Sequence, residues 1–369
     1  MRTTKYLLQG LEWPTYNGAP IDHTRRVIMA DVSAEREGLM DGMPRDDRGY
    51  WQPEGLKLPN PVFDWPPNPL KIVKWVYNYL FPWNIIYMLI AVLTVVYLQP
   101  EMSKMTTFSA DWIAYIFVRN QILLIVVVSA WHLWLWSRKS QGFQYKYTPD
   151  WLAKGKKQFL FGNQLYDNIF WSCVSGGIIW TAYEVVTLWA YANEFIPYLD
   201  PAKHPVYFVL MLCGIQLWRL FHFYWVHRLL HWPPLYKAGH YLHHRNINIG
   251  PWSGLSMHPI EHILYFSGVL IHWIIPSHPI HAVFNGQHAA LTPAQGHAGF
   301  EAIVVNGKSM LRGASYFHQL HHRYFECNYG EMDIPFDVWF GTSHNGSAED
   351  HEAMRAKRFA SHKIRTSAA

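Results

Sequence analysis

Long apolar runs separated by polar loops dominate the first two thirds of the chain. Four runs approach or exceed the roughly 20 residues that a helix needs to cross the hydrocarbon core of a bilayer. They occupy residues 79–99, 112–136, 167–192 and 205–226. The pattern therefore predicts four transmembrane helices.

A fifth apolar segment, residues 260–290, differs from these four because Pro276 and Pro279 interrupt it. Proline removes a backbone donor and clashes with the preceding helical turn, so a continuous span is disfavoured. We expect a helical hairpin that dips into the membrane.

These elements divide the chain into four predicted regions within an all-α, polytopic membrane fold. Residues 1–70 are rich in proline, glycine and acidic side chains and predict an irregular cytoplasmic extension. Residues 71–226 hold the spans, residues 227–345 form a cytoplasmic helical cap with the hairpin, and residues 346–369 form a cytoplasmic tail.

Composition agrees with a membrane protein, because half of the residues are hydrophobic, 17% are aromatic and only 15% are charged. Lysine and arginine accumulate in short cytoplasmic loops. The connections near 100–111 and 193–204 contain only two lysines and no arginine, namely Lys104 and Lys203. The loop after the second span carries six cations: Arg138, Lys139, Lys146, Lys154, Lys156 and Lys157. We therefore expect this loop, and the region that begins at residue 227, to face the cytoplasm from a plasma, inner or endoplasmic reticulum membrane.

Ionisable residues inside predicted spans are costly and are usually paired. Glu184 and Arg219 are two such residues. They form a mutual ion pair, or Arg219 extends its charged end toward the cytoplasmic surface.

Charge and cysteine content exclude other classes. The net charge of +5 comes with no basic helix or stacking module, so nucleic acid is not an expected partner. Three cysteines, of which Cys173 and Cys213 lie in spans, provide neither a disulfide framework nor a thiolate metal site.

Histidine is concentrated in the second half of the chain, where 16 of the 22 histidines fall between His222 and His322. HRLLH places His227 and His231 four residues apart. HYLHH and HQLHH repeat a spacing of three and four residues, which groups imidazoles on one helical face. Buried imidazoles that crowd together must stay neutral and must each find a partner for a lone pair, which a divalent metal provides.

Eight or nine imidazoles exceed the coordination of one zinc ion, so the pattern implies two metal ions. A nitrogen-rich ligand set without thiolates suits iron, although zinc, copper and nickel also accept imidazole.

The histidine spacing resembles that of the fatty acid hydroxylase and sterol desaturase superfamily of membrane-bound di-iron enzymes. LYKAGHYLHHR is similar to its LYxxxHxxHH element, MHPIEH contains its HPxE element, and FHQLHHRYFECNYGEMDIPFDVWFGT resembles its HxxHHxxFxxNYG and DxxFGT run. The likeness covers about residues 160–345, and HPIE, NYG and FGT are closer to the sterol desaturase and methyl-sterol oxidase branch.

The resemblance implies a set of nine metal ligands. They are His227, His231, His240, His243, His244, His297, His318, His321 and His322. Fatty-acid 2-hydroxylases carry another histidine four residues after the position of His297, where this chain has Glu301. Glu301 ligates metal, orients a ligand or does neither.

Other residues near these motifs are candidates for supporting roles. Glu261 and Asp337 can accept hydrogen bonds from ligand imidazoles, which fixes their tautomers. The alternative for Asp337 is that it caps a turn. His258 and His262 are extra ligands or, more commonly for histidines beside a metal, hydrogen-bonding neighbours.

By this resemblance the protein uses dioxygen to hydroxylate or desaturate a sterol-like or fatty-acyl lipid with two iron ions, which zinc can replace in a recombinant sample. An ether lipid, sphingoid or carotenoid substrate would fit the same histidines. The sequence has no GxGxxG after a strand, no four-cysteine iron–sulfur spacing and no HPGG of a fused b-type haem domain. An external donor, a ferredoxin or a b-type haem protein with its reductase, is therefore expected to supply electrons. The candidate docking surfaces for it, or for anionic lipid, are the basic loop 137–165 and the tail cations Arg355, Lys357, Arg358, Lys363 and Arg365. Two other classes stay open, a non-redox di-zinc membrane enzyme and a non-catalytic scaffold. Oligomeric state does not follow from the sequence.

Overall fold

The computed structural model describes residues 43–53, 56 and 61–356. Most of the predicted extension 1–70 and the end of the predicted tail 346–369 lie outside the described residues. The same applies to Lys357, Arg358, Lys363 and Arg365, four of the proposed docking cations.

Helices make up most of the described chain. The α-helices are α1 Pro69–Leu80, α2 Trp83–Tyr97, α3 Ala110–His132, α4 Gln164–Phe170, α5 Gly177–Ala192, α6 Pro205–Leu230, α7 Pro233–Leu235, α8 Tyr241–His244, α9 Pro259–Phe266, α10 Pro279–Leu291, α11 Pro293–Gly296, α12 Tyr316–Tyr324 and α13 Phe336–Trp339. Short 3-10 helices cover Pro61–Phe63, Met102–Thr106, Leu160–Gly162, Pro251–Leu255 and Ser267–Trp273. Turns of π-helix cover Leu133–Ser137, Trp171–Gly176 and Tyr236–His240.

Three helices in the described part of the chain are long and apolar enough to cross a membrane. They run over Ala110–Ser137, Gln164–Ala192 and Pro205–Leu230. The first predicted span, 79–99, is instead the second part of a bent pair, α1 and α2, which meet at 45°. Pro82 interrupts the helical hydrogen bonds between them, so the count is three spans, or four if the pair crosses as one.

The predicted hairpin 260–290 consists of α9, the 3-10 helix Ser267–Trp273 and α10. All 13 residues of α10 are buried, and the helix packs against α2, α5 and α6. Thirteen residues are too few to cross a bilayer. Because α10 is buried along its whole length, it forms a central element around which α2, α5 and α6 pack.

One β-hairpin departs from the all-helical prediction. Strands β1 Ala302–Val305 and β2 Lys308–Arg312 pair in antiparallel fashion around Asn306 and Gly307, both of which have positive φ. An Asn-Gly pair flanked by segments in which hydrophobic and polar residues alternate is a strong signal for such a two-residue turn. The signal is present in VVNGKSML, but the sequence analysis did not use it.

Glu184 of α5 pairs with Arg119 of α3, and not with Arg219 as the sequence analysis considered. Both side chains are 4% exposed. Asn120 also donates to the Glu184 carboxylate, at 2.9 Å. Because α3 and α5 pack directly against each other, the acid meets the cation on the adjacent helix.

We expect Arg119→Leu to destabilise the protein by about 3 kcal/mol, because it leaves the Glu184 carboxylate buried without its counter-ion. Thermal unfolding of the detergent-purified protein measures the loss. The double variant Arg119→Leu, Glu184→Leu is the control and should recover most of the stability. A single variant as stable as the unmodified protein would contradict this role for the pair.

Candidate metal centre

Four separated segments bring the nine predicted ligands together. His227 lies in the last turn of α6, and His231 directly follows that helix. His240 ends the π-helical turn before α8, which carries His243 and His244, and α12 carries His318, His321 and His322. His297 follows the short helix α11. All of these side chains are buried except His231, which is half-buried.

The nine imidazoles form two groups, in each of which the available ligand atoms lie within 4.8 Å of one another. We name them site A and site B. Site A contains His227, His231, His240, His244 and His321. Site B contains His243, His297, His318 and His322.

Each HxxHH motif divides its histidines between the two sites. His240 and His244 join site A while His243 joins site B. In α12 the assignment is reversed, with His318 and His322 in site B and His321 in site A. Side chains four residues apart lie above one another on a helix, whereas the third is rotated to one side. The repeated spacing therefore builds two adjacent sites rather than one.

The distances between imidazole nitrogens suit ligands of a common ion. In site A the Nε2 atom of His244 lies 3.0 Å from that of His240 and 3.1 Å from those of His231 and His321. Ligands at right angles around an ion at about 2.1 Å are about 3.0 Å apart. In site B the Nε2 atom of His297 lies 3.0 Å from His318 and 3.1 Å from His322.

Hydrogen bonds at the opposite ring nitrogens fix the tautomers. The Nδ1 atom of His227 lies 2.6 Å from the Tyr329 carbonyl oxygen, and that of His321 lies 2.6 Å from the Cys327 carbonyl oxygen. His297 Nδ1 contacts the Pro293 carbonyl oxygen at 3.0 Å. A carbonyl oxygen only accepts, so these Nδ1 atoms carry the proton and each Nε2 atom keeps a lone pair.

Several lone pairs therefore converge in each site. Nitrogen lone pairs about 3 Å apart repel unless a cation lies between them, and first-row divalent metals are the cations that imidazole binds best. The residues present thus fit a metal ion in each site.

Electrostatics keep the ligands neutral. Burial lowers the pKa of His243 to about 4. Burial, followed by the neighbouring imidazoles, lowers the pKa values of His244, His318 and His322 well below the usual range. Neutral imidazole is the form that binds metal, so metal binding requires no proton release near neutral pH.

The predicted supporting acid Glu261 lies directly beside one of the ligands. Glu261 Oε1 lies 2.8 Å from His240 Nδ1. Burial raises the pKa of Glu261, and a divalent ion on the far side of His240 would stabilise its carboxylate form.

Asp337 supports a ligand indirectly, whereas the sequence predicted a direct contact with an imidazole. Its carboxylate accepts from the backbone N–H groups of Tyr329 and Gly330, at 2.9 and 2.8 Å, and from the Thr342 hydroxyl. It therefore holds the Tyr329 carbonyl against His227 and does not itself contact an imidazole. The NYG and DxxFGT elements are connected through this carboxylate.

Glu301 lies outside both histidine groups. Its Oε2 atom accepts from the Tyr147 hydroxyl at 2.6 Å, and burial raises its pKa. Of the roles considered for Glu301, direct ligation does not fit this position. Site B consequently has four imidazoles where site A has five.

The two extra histidines of MHPIEH also lie outside the groups. His262 contacts the Ser175 hydroxyl and the Leu255 carbonyl oxygen, at 2.8 and 3.2 Å, and His258 caps the N-terminus of α9. The backbone carbonyls of Pro293, Cys327 and Tyr329 were not predicted as partners of the ligands, because a carbonyl has no residue-specific signal in a sequence.

A cavity of about 410 Å³ opens onto both sites. From site B it is lined by His243, His297 and His318, and from site A by His227 and His240. Its walls extend along α6 to α1 and α2, the helices that form the bent pair. The cavity therefore connects the histidines with the surfaces of α1, α2 and α6.

Comparison with known proteins identifies the motif region. A family model described as fatty acid hydroxylase matches residues 211–342, which include all nine histidines. Delta(7)-sterol 5(6)-desaturase of Gibberella zeae is 31% identical over 152 residues, or 36% of this chain and 42% of the relative. Delta(7)-sterol-C5(6)-desaturase of Nicotiana tabacum is 33% identical over 155 residues, or 40% of this chain and 52% of the relative. Residues 211–342 are thus similar to the fatty acid hydroxylase family and to sterol desaturases.

The likeness is concentrated in the histidine region. A Saccharomyces cerevisiae Delta(7)-sterol 5(6)-desaturase is 29% identical over 139 residues, which cover 34% of this chain and 31% of the relative. The chain thus spans between about a third and half of the length of the relatives it matches. No solved structure gives a significant match.

We expect His297→Ala to lower bound metal by roughly half, because site B would retain three imidazoles while site A keeps its full set. Elemental analysis of the purified protein gives the metal content per chain. His204→Ala, which removes an exposed histidine before α6, is the matched control and should leave the content unchanged. Full metal content in His297→Ala would contradict the assignment of His297 to site B.

We expect Glu261→Ala to weaken metal binding by about 10- to 100-fold, because His240 loses the acceptor that orients its ring. Competition with a chelator of known affinity measures the change. Glu261→Gln retains an acceptor oxygen and should recover most of the affinity. Equal affinities for Glu261→Ala and the unmodified protein would show that this contact does not support the site.

Proposed function

We propose that this protein oxidises a lipid at a membrane surface, by hydroxylation or desaturation of a C–H bond, with two iron ions, dioxygen and externally supplied electrons. The proposal is carried by one observation: two groups of neutral imidazoles meet at a cavity whose walls include apolar helices. The similarity of residues 211–342 to the fatty acid hydroxylase family, and of the chain to sterol desaturases, supports it. The names of the desaturase relatives favour a sterol-like substrate, with a fatty-acyl lipid as the alternative.

A bound iron pair would supply the oxidising power that an unactivated C–H bond requires, while the protein positions the lipid and excludes water. The carbonyls and Glu261 orient the imidazoles from outside. Phe223 and Met257 line the cavity beside the histidines and provide apolar contact for a hydrocarbon. Site B has fewer protein ligands and contributes more of its histidines to the cavity wall, so we assign the substrate-facing role to it.

The basic loop supports a cytoplasmic orientation. It packs against the histidine-bearing region, since the Glu301 N–H donates to Tyr145 at 2.9 Å and Gln164 donates to Asn246 at 2.9 Å. The positive side of the protein and the metal centre are therefore on the same side. By the distribution of positive charge in membrane proteins, that side is the cytoplasm.

Fewer cations of the basic loop are accessible to an electron donor than the sequence suggests. Lys146 is fully buried, and its ammonium donates to Thr148 and Asp150 and lies 4.5 Å from the Trp136 ring centroid. Four exposed lysines and one exposed arginine of this loop remain for contact with an acidic donor or with anionic lipid. They are Arg138, Lys139, Lys154, Lys156 and Lys157.

We expect His321→Ala to lose the metal of site A and lipid oxidation together while the protein still inserts in the membrane, because site A loses the buried imidazole that the Cys327 carbonyl holds in place. Mass spectrometry of lipids from cells with and without the protein should show a gain of one oxygen or a loss of two hydrogens. His204→Ala should behave like the unmodified protein. Product formation by a fully metallated His321→Ala variant would contradict the proposal.

Removal of dioxygen separates the iron proposal from a non-redox di-zinc enzyme. The proposed reaction stops without dioxygen or reductant, whereas hydrolysis or isomerisation at zinc continues. A scaffold would change no lipid under either condition.

A further inference from the structure

The cavity has a polar region away from the nine candidate metal ligands. It is lined by Gln216 and Arg219 of α6, Asn84 of α2, and His288 and Thr292 at the end of α10. Polar side chains within apolar helices are costly, and they commonly mark a substrate path.

Arg219 is held in place by neutral groups. Its guanidinium donates to His288 Nδ1 at 2.8 Å, to the Thr292 hydroxyl at 3.1 Å and to the Tyr265 hydroxyl at 2.8 Å. His288 in turn contacts Asn84 Oδ1 at 3.0 Å. These bonds fix the orientation of the guanidinium. Among the described residues, no carboxylate lies within ion-pairing distance of it.

Gln216 lies one turn before Arg219 and also lines the cavity. The side chain is 2% exposed, yet neither its Nε2 nor its Oε1 atom has a hydrogen-bond partner among the described residues. A buried amide without partners costs about 1–3 kcal/mol. A ligand that both donates and accepts a hydrogen bond would satisfy it.

The distance between this region and the metal centre limits the kind of substrate. Arg219 precedes His227 by eight residues on the same helix, which corresponds to a rise of about 12 Å. Thr292, which Arg219 contacts, is followed by Pro293, whose carbonyl oxygen lies 3.0 Å from His297. The polar region is therefore on the order of 10 Å from the imidazoles.

We propose that Gln216 and Arg219 bind the hydroxyl end of the lipid substrate, so that the oxidised carbon lies remote from that hydroxyl. An extended chain advances roughly 1.2 Å per covalent bond, which gives a separation of about eight to ten bonds. This inference rests on the proposed function of the histidine centre. It adds that the reacting carbon is not adjacent to the polar group.

A neutral hydroxyl fits this region better than a carboxylate. Arg312, Glu331 and Asp333 line the same cavity, so its two arginines already face two acidic side chains and a ligand carboxylate would add an unbalanced negative charge. Burial, followed by the nearby Asp333 carboxylate, raises the pKa of Glu331 to about 7. A hydroxyl can accept from Arg219 and the Gln216 amide N–H while donating to Gln216 Oε1.

Binding of three probes with the same chain length tests the inference without relying on turnover. The probes are radiolabelled 1-hexadecanol, hexadecane and palmitate, bound to the detergent-purified full chain. We expect 1-hexadecanol to bind about tenfold more tightly than hexadecane, and palmitate to bind more weakly than 1-hexadecanol. Gln216→Leu should reduce the preference for the alcohol about tenfold and leave hexadecane binding unchanged.

The control variant is Leu217→Met, which changes the adjacent, exposed residue of α6 and should retain the preference. Equal binding of 1-hexadecanol and hexadecane by the unmodified chain would overturn the inference, even if Gln216→Leu did not fold. Tighter binding of palmitate would overturn the choice of a hydroxyl. Either result would leave the proposed oxidation intact, whereas absence of oxidised lipid alongside selective alcohol binding would count against the proposed function alone.

Discussion

The mutual repulsion of nitrogen lone pairs is the constraint on which the metal centre depends. His227, His297 and His321 each direct Nδ1 toward a backbone carbonyl, which leaves Nε2 without a proton inside a cluster of other imidazoles. Without a cation, burial of these lone pairs at about 3 Å separation is unfavourable. Binding of metal ions would therefore be coupled to local folding, as is general for sites built from separated segments.

The remainder of the cap positions those carbonyls and rings. Asp337 binds the backbone that presents the Tyr329 carbonyl, so two loops distant in sequence act on one imidazole. Glu261 performs the equivalent task for His240 directly. Because ring orientation depends on these acceptors, the ligand motifs would not form the sites by themselves.

The two histidine groups share the same pattern of HxxHH ligands but differ in the number of additional histidines. Each HxxHH motif gives two imidazoles to one site and one to the other, and additional histidines complete each set. HxxxH completes site A with two, whereas His297 alone completes site B because Glu301 turns to Tyr147. This asymmetry, together with a cavity that is polar near Gln216 and Arg219, distinguishes the two ends of the cavity and would orient the lipid of the proposed reaction.

Local spacing made part of this predictable from sequence. The long apolar runs and the spacing of His240, His243 and His244 follow from helical periodicity, which depends only on neighbours along the chain. What spacing does not carry is which imidazoles share an ion, which carbonyls fix their tautomers, and that Arg119, not Arg219, neutralises Glu184. Those outcomes depend on contacts between helices far apart in sequence, so only the packing of the whole chain decided them.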